Sequence, residues 1–114
     1  MITQLDGFNI NEATFYTDGD LKPGMAVDIG DGFTAIVPRE GTPIVGVCTS
    51  VRGNYASVAL TGVVTVPYTG SGITVGYCKL SAAANGAVKA DTSSMKAYLV
   101  LEVDSYEKLI TIML

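Results

Sequence analysis

The sequence predicts an all-β fold: a single small β-barrel domain with at most one short helix and an extended N-terminal arm. Short apolar runs recur at intervals of roughly 8 to 12 residues, which is typical of antiparallel strands joined by tight turns. The runs are rich in valine, isoleucine and threonine, which favour strands. Turn sequences centred on glycine separate them, and the chain contains 13 glycines. A length of 114 residues fits one domain.

The arm is predicted over residues 1–17 and the barrel domain over residues 18–114. The first segment differs from the rest because it contains few β-branched runs and three scattered aromatic residues, Phe8, Phe15 and Tyr16. A terminal segment of this kind is ordered only when it packs on its own domain or on a partner. We therefore expect residues 1–17 to form such a packed arm.

The first part of the barrel domain is predicted to contain two hairpins. The run 26–37 breaks at Asp31-Gly32, a dipeptide typical of hairpin turns. Strands at 44–51 and 55–60 flank the glycine-containing turn 52–54 and form the second hairpin.

The second part of the domain is predicted to contain further short strands joined by turns. A β-branched strand at 62–66 ends at Pro67, which cannot donate a backbone hydrogen bond. A strand at 73–80 is followed by an alanine-rich helical turn that Asn85-Gly86 stops. The last hairpin pairs strands 99–103 and 109–113.

The two parts resemble each other in sequence. Residues 21–27 resemble residues 73–79, and the hairpin of 44–60 has a counterpart in 98–113, where Leu99 takes the place of Gly46. Two similar halves of about 40 residues would pack as one closed or nearly closed β unit, because neither half alone could bury its apolar face. The alternative is that this loose similarity arose by chance.

Composition argues against several classes of function. Seven Lys and Arg stand against eleven Asp and Glu, for a net charge of −4, whereas a nucleic-acid face needs clustered cations. Histidine is absent, which removes the commonest general base and transition-metal ligand. The first residues lack the features of a secretory signal, and no run approaches the ~20 apolar residues that span a membrane. We expect neither a nucleic-acid nor a membrane partner.

The remaining reactive groups have simpler structural explanations. Cys48 and Cys78 lie in apolar strands without a histidine to activate a thiol, so both are expected to pack in the core. The group that most resembles a metal site consists of Asp18, Asp20, Asp28 and Asp31. These residues could offer oxygen ligands to calcium, but they lack the EF-hand pattern, and aspartate beside glycine is typical of turns. No catalytic, metal-binding or cofactor-binding residue is predicted, and no cofactor.

Charge is distributed unevenly along the chain. Residues 53–78 carry no charged side chain, although a solvated surface of that length normally carries charges of both signs. The segment is therefore either interior strand or a surface that another protein covers. Tyr55, Tyr68 and Tyr77 lie in it, and tyrosine is enriched in protein interfaces. An ordinary place in the core or at the barrel rim is the alternative for these three residues.

The glycine-punctuated β pattern is similar to that of a known family. The residues that carry the similarity are 19–27 (GDLKPGMAV), 43–47 (PIVGV), 58–66 (VALTGVVTV), 73–76 (ITVG), 85–88 (NGAV) and the closing strand 109–114. Across 19–114 the chain resembles the capsid decoration, or cement, proteins of tailed bacteriophages, including the lambda-type head decoration proteins with a β-tulip fold.

This resemblance implies a non-enzymatic protein that is made in the host cytoplasm and sits on the outer surface of the capsid in the virion. Such a protein would clamp neighbouring major capsid proteins and assemble as a homotrimer. The capsid contact would be made by residues 1–17, with Phe8, Phe15 and Tyr16 as anchors, and the trimer interface by part of residues 53–78. A phage fibre or tail adaptor module, or a small β-rich ligand-binding domain, is the alternative.

Overall fold

A computed structural model describes residues 11–17 and 19–114 of the chain. The described residues form ten strands and one short 3₁₀ turn, which confirms the all-β prediction. The strands are β1 (Asn11–Thr17), β2 (Ala26–Gly30), β3 (Thr34–Ile36), β4 (Gly46–Arg52), β5 (Tyr55–Thr61), β6 (Val63–Pro67), β7 (Gly76–Ala82), β8 (Val88–Ala90), β9 (Ala97–Asp104) and β10 (Leu109–Met113). The 3₁₀ turn spans Ala84–Gly86, where the sequence predicted a helical turn.

Strands β1 to β5 form a closed barrel in the order β1-β3-β2-β4-β5, which we call the first barrel. Strand β1 closes it, because it pairs antiparallel with β5 and parallel with β3. Residues 11–17 are therefore a barrel strand, so the arm boundary that the sequence suggested at residue 17 lies at the end of this strand. The reason is alternation, since Phe15 and Thr17 are buried while Thr14 and Tyr16 are exposed.

Strands β6 to β10 form a five-stranded sheet in the order β6-β10-β9-β7-β8. A parallel bridge between Tyr68 and Val88 connects the end of β6 to β8 at the other edge. The sheet is thus curled into a nearly closed second barrel. Going round each barrel, the strand order is the same: β1-β3-β2-β4-β5 in the first corresponds to β6-β8-β7-β9-β10 in the second.

The irregularities of the two barrels also correspond. A β-bulge interrupts the β4–β5 pairing between Cys48 and Ser50, and another interrupts the β9–β10 pairing opposite Thr111 and Ile112. The glycines at the equivalent entrances to β2 and β7, Gly24 and Gly76, both have positive φ. These matches support the predicted duplication. Each half forms its own sheet, a closed barrel from β1 to β5 and a curled five-stranded sheet from β6 to β10, and one apolar cluster joins the two halves.

Two apolar clusters fill the molecule. The first lies inside the first barrel and includes Phe15, Val27, Ala35, Cys48 and Val58. The larger cluster fills the second barrel and extends to first-barrel residues, so it joins the halves; its buried members include Ala26, Ile44, Val47, Ala59, Leu80, Tyr98, Val100, Ile110 and Ile112. The barrels therefore share a continuous apolar contact.

Three strand predictions needed revision. The sequence did not predict β1 or β8 as strands, since β1 has few β-branched residues and β8 is only three residues long. Strand β7 begins at Gly76, later than the predicted Ile73. Gly72 and Gly76 both have positive φ, so the chain turns at each end of residues 73–75, which pair with no described strand.

Candidate binding face on the first barrel

The outer surface of β4, β5 and β1 carries two rows of side chains that can bind a ligand. In one row Ser50 pairs with Ser57, and Ser57 pairs with Thr14. In the other row Arg52 pairs with Tyr55, and Tyr55 pairs with Tyr16. We call this surface the Arg52 face; it consists of Thr14, Tyr16, Ser50, Arg52, Tyr55 and Ser57.

The strand period explains why these six residues share one surface. Between the two rows lies a third, in which Val51 pairs with Ala56 and Ala56 with Phe15. Ala56 and Phe15 are buried in the barrel, so the neighbouring rows must point outwards. The turn between β4 and β5 contains only Gly53 and Asn54, and this tight connection fixes the register of Arg52 opposite Tyr55.

A shallow cavity of about 370 Å³ lies on this face, within the range of small-molecule sites. Five residues of the face, Thr14, Ser50, Arg52, Tyr55 and Ser57, line it together with Ala56. Beside it, the rings of Tyr55 and Tyr16 lie 5.3 Å apart at a tilt of 35°. Each of these rings is about half exposed.

The charge of the face is carried by Arg52. Within residues 11–17 and 19–114, the one ion pair joins Lys89 to Glu40 at 3.7 Å, so no described acidic side chain neutralises the Arg52 guanidinium. At the far side of the hydroxyl row, the Thr49 hydroxyl donates a hydrogen bond of 2.5 Å to Glu12. The Arg52 face thus carries a cation at Arg52, and the anionic Glu12 borders it beyond the hydroxyl row.

Phe33 was not predicted as a functional residue. It follows the Asp31-Gly32 turn, is 62% exposed, and stacks on Phe15 with ring centroids 4.8 Å apart. Its φ of 60° is uncommon for a bulky residue. The sequence did contain a signal, namely a large apolar side chain in a turn that otherwise favours small polar residues.

The residues predicted to contact the capsid have different environments. Phe8 lies outside the described residues. Phe15 is buried, so its ring supports Phe33 and is not itself available as an exposed anchor. Tyr16 is exposed and lies beside Tyr55, although the sequence assigned these two residues to different contacts.

The three tyrosines predicted to form an oligomer interface do not form one surface patch. Tyr55 belongs to the Arg52 face. Tyr68 is 7% exposed and has the Lys108 ammonium group 5.1 Å above its ring, so a partner cannot reach most of that ring. Tyr77 is 79% exposed on the second barrel.

Tyr77 begins an apolar row across the outside of the second barrel. It pairs with Leu99, Leu99 pairs with Met113, and Met113 pairs with Val63, so the row crosses four strands. We call these four residues the apolar row. The uncharged segment 53–78 was predicted to be either interior strand or exposed apolar surface, and it contains both.

Of the two cysteines that the sequence places in the core, only one is fully buried. Cys48 is buried in the first barrel, and burial raises the pKa of its thiol. Cys78 is only half buried.

The aspartates that most resembled a metal site do not form one among the described residues. Asp18 lies outside the described residues, and the carboxylate of Asp28 accepts a hydrogen bond from the Ile29 backbone N–H. Among the residues that the structure describes, no group of three or more potential ligands is placed to hold a metal ion.

No helix in the described part of the chain is long and apolar enough to cross a membrane. Comparison of the chain with protein-family models and with curated proteins gives no match.

Proposed function

We propose that this protein is a non-enzymatic capsid decoration protein of a tailed bacteriophage, which binds the outer surface of the head and stabilises contacts between major capsid proteins. The sequence pattern over residues 19–114 suggests this class. The structural observation that carries the proposal is the exposed ring of Phe33 at the end of the first barrel, next to Tyr16.

The conformation of Phe33 favours a contact role. A bulky residue at positive φ costs on the order of 1–3 kcal/mol, and the Phe33 ring, which stacks on Phe15 but stays 62% exposed, buries only part of its surface in its own chain. The turn between β7 and β8 also has two successive residues at positive φ, and there they are Asn85 and Gly86. Glycine would therefore satisfy the fold at residue 33. A partner that covers the ring would offset the cost of phenylalanine there.

The position of Phe33 is fixed by the barrel. Its ring stacks on the buried Phe15, and its carbonyl accepts a hydrogen bond of 3.0 Å from the Tyr16 backbone N–H. A prearranged ring loses little conformational entropy when a partner binds. The apolar row of the second barrel is a separate surface, which we assign to self-association as a homotrimer.

Binding to phage heads tests the proposal. Purified protein should co-sediment with expanded, undecorated heads of the phage that encodes it and should raise the temperature at which they disrupt. Phe33→Asn removes the ring while keeping a residue that tolerates positive φ, and we expect about tenfold weaker binding, or about 1.4 kcal/mol. Tyr106→Ser is the matched control, because Tyr106 is 91% exposed in the β9–β10 turn.

Two results would count against this function. Failure of the unaltered protein to bind expanded heads would overturn the decoration role itself. Equal binding by the Phe33→Asn and Tyr106→Ser variants would leave decoration in place but would remove Phe33 from the contact.

A further inference from the structure

We infer that the Arg52 face is a binding site for an acidic oligosaccharide, a sugar chain that carries carboxylate groups. This inference is independent of the decoration role, because it rests on the β4, β5 and β1 side chains and not on Phe33 or the apolar row.

The hydroxyl row is the first part of the argument. Ser50, Ser57 and Thr14 lie directly opposite one another on three neighbouring strands, so their hydroxyl groups repeat at roughly the inter-strand distance of 4.8 Å. Hydroxyl groups both donate and accept hydrogen bonds, which matches the alternating donors and acceptors of a sugar ring. No hydrogen bond within the described residues occupies these three side-chain hydroxyls.

The second part is the adjacent row. The Tyr55 and Tyr16 rings are exposed and lie 5.3 Å apart, and their faces can contact the apolar C–H surface of a pyranose. Tyr55 also lines the cavity, so the ring and the hydroxyls reach the same space.

Arg52 specifies an acidic ligand. Arg52 lines the cavity and forms no ion pair with a described carboxylate, and arginine binds carboxylates through paired, charge-assisted hydrogen bonds. Glu12 sits on the opposite side of the hydroxyl row, where it would repel a second carboxylate and accept hydrogen bonds from neutral hydroxyls. The two charges would therefore orient the sugar chain with its carboxylate towards Arg52.

The closed barrel disfavours an extended peptide on this face. Peptides that join a sheet bind through free backbone groups at an edge, whereas β4, β5 and β1 each have a neighbour on both sides. Recognition here depends on side chains, and three of the six side chains in the Arg52 face are aliphatic hydroxyls.

Calorimetric titration of the full chain with trigalacturonate tests the inference. We expect binding of trigalacturonate and at least about tenfold weaker binding of neutral galactotriose, inorganic phosphate and a triglutamate peptide. Arg52→Ala should weaken trigalacturonate binding by about tenfold or more, which corresponds to loss of one charge-assisted pair. Arg39→Ala is the matched control, because it removes the same charge from an exposed loop position.

The hydroxyl row is tested by Ser57→Ala, which should weaken trigalacturonate binding by several-fold, with unchanged melting temperature as the check on folding. Absence of trigalacturonate binding at millimolar concentration would overturn the inference. So would equal effects of Arg52→Ala and Arg39→Ala. Equally tight binding of phosphate or triglutamate would overturn the sugar assignment and identify a general anion or acidic-peptide site. These outcomes are read from sugar binding and the decoration role from co-sedimentation with heads, so failure of one is distinguishable from failure of the other.

Discussion

The phenol hydroxyl of Tyr98 forms two hydrogen bonds with the backbone of Ile44. The Ile44 N–H donates to Tyr98 Oη at 3.2 Å, and the hydroxyl donates to the Ile44 carbonyl at 3.1 Å. Tyr98 lies in β9 of the second barrel, whereas Ile44 precedes β4 of the first barrel. Both residues are buried in the cluster that joins the barrels, so this pair fixes their contact.

Tyr98→Phe should lower the free energy of unfolding by about 1–3 kcal/mol, because it leaves a buried N–H and carbonyl without partners. Denaturation by urea measures this value. Tyr106→Phe removes a hydroxyl from an exposed ring and should change stability by less than about 0.5 kcal/mol. A Tyr98→Phe protein as stable as this control would show that the pair does not hold the barrels together.

Stability should also fall in alkali because of Tyr98. Burial raises the pKa of its phenol above the ordinary value, while the unfolded chain keeps a pKa of about 10. The neutral hydroxyl therefore contributes fully below pH ~10, and the contribution is lost as the pH rises through the higher folded pKa. Unfolding curves between pH 9 and 12 should show a steeper loss in the unaltered protein than in Tyr98→Phe; parallel curves would contradict this linkage.

Gly46→Ala should destabilise the first barrel by about 1–3 kcal/mol. A methyl group at residue 46 would overlap the backbone carbonyl of Ala59 and approach the Val58 side chain at 2.8 Å. Gly30→Ala is the control, since its methyl would meet Ile36 at 3.5 Å, an ordinary contact. Thermal melting of the two variants compares them, and equal melting temperatures would mean that the barrel adjusts at Gly46 without cost.

The two thiols should react at different rates. Cys48 is 1% exposed and has a raised pKa, whereas Cys78 is half buried near the surface of β7. A thiol reagent at pH 8 should modify Cys78 first and Cys48 only when the barrel opens or unfolds. Cys78→Ser should abolish the fast phase. Survival of that phase in this variant would place the reactive thiol at Cys48.

Self-association should depend on the apolar row. Analytical ultracentrifugation of the unaltered protein at micromolar concentration is expected to show a trimer. Tyr77→Ser removes the most exposed ring of the row and should shift the distribution towards monomer, whereas Met95→Ser, at a residue that is 95% exposed, should not. A monomeric unaltered protein would contradict this interface but not binding to heads.

The sequence alone predicts those strands and turns whose signals lie within a few neighbouring residues. The hairpins around Asp31-Gly32 and residues 52–54 have tight glycine-containing turns between β-rich runs, and both form as predicted. Strand β1 was not predicted as a strand because its pairing depends on distant partners: Tyr16 lies opposite Tyr55, thirty-nine residues later, and Asn11 lies opposite Thr61, fifty residues later. Patterns within a short window cannot report such pairing.

The Arg52 face could not be predicted from the sequence for the same reason, namely that it depends on pairing between strands. Arg52 appeared in the sequence as part of a turn, and the hydroxyl residues appeared as ordinary strand positions. Only the register of β4, β5 and β1 aligns Ser50 with Ser57 and Thr14. The face could not be predicted without that register, because a shift by one residue would have turned all three hydroxyls inwards.

The matching strand order of the two halves allows their surfaces to be compared position by position. The second-barrel positions that match Arg52, Tyr55 and Tyr16 by strand pairing are Asp104, Leu109 and Pro67. At these three positions the first barrel carries a cation and two phenols, whereas the second barrel carries a carboxylate, a leucine and a proline. The two halves thus share a strand order but differ in surface chemistry, so each half serves as a baseline against which the surface of the other can be judged.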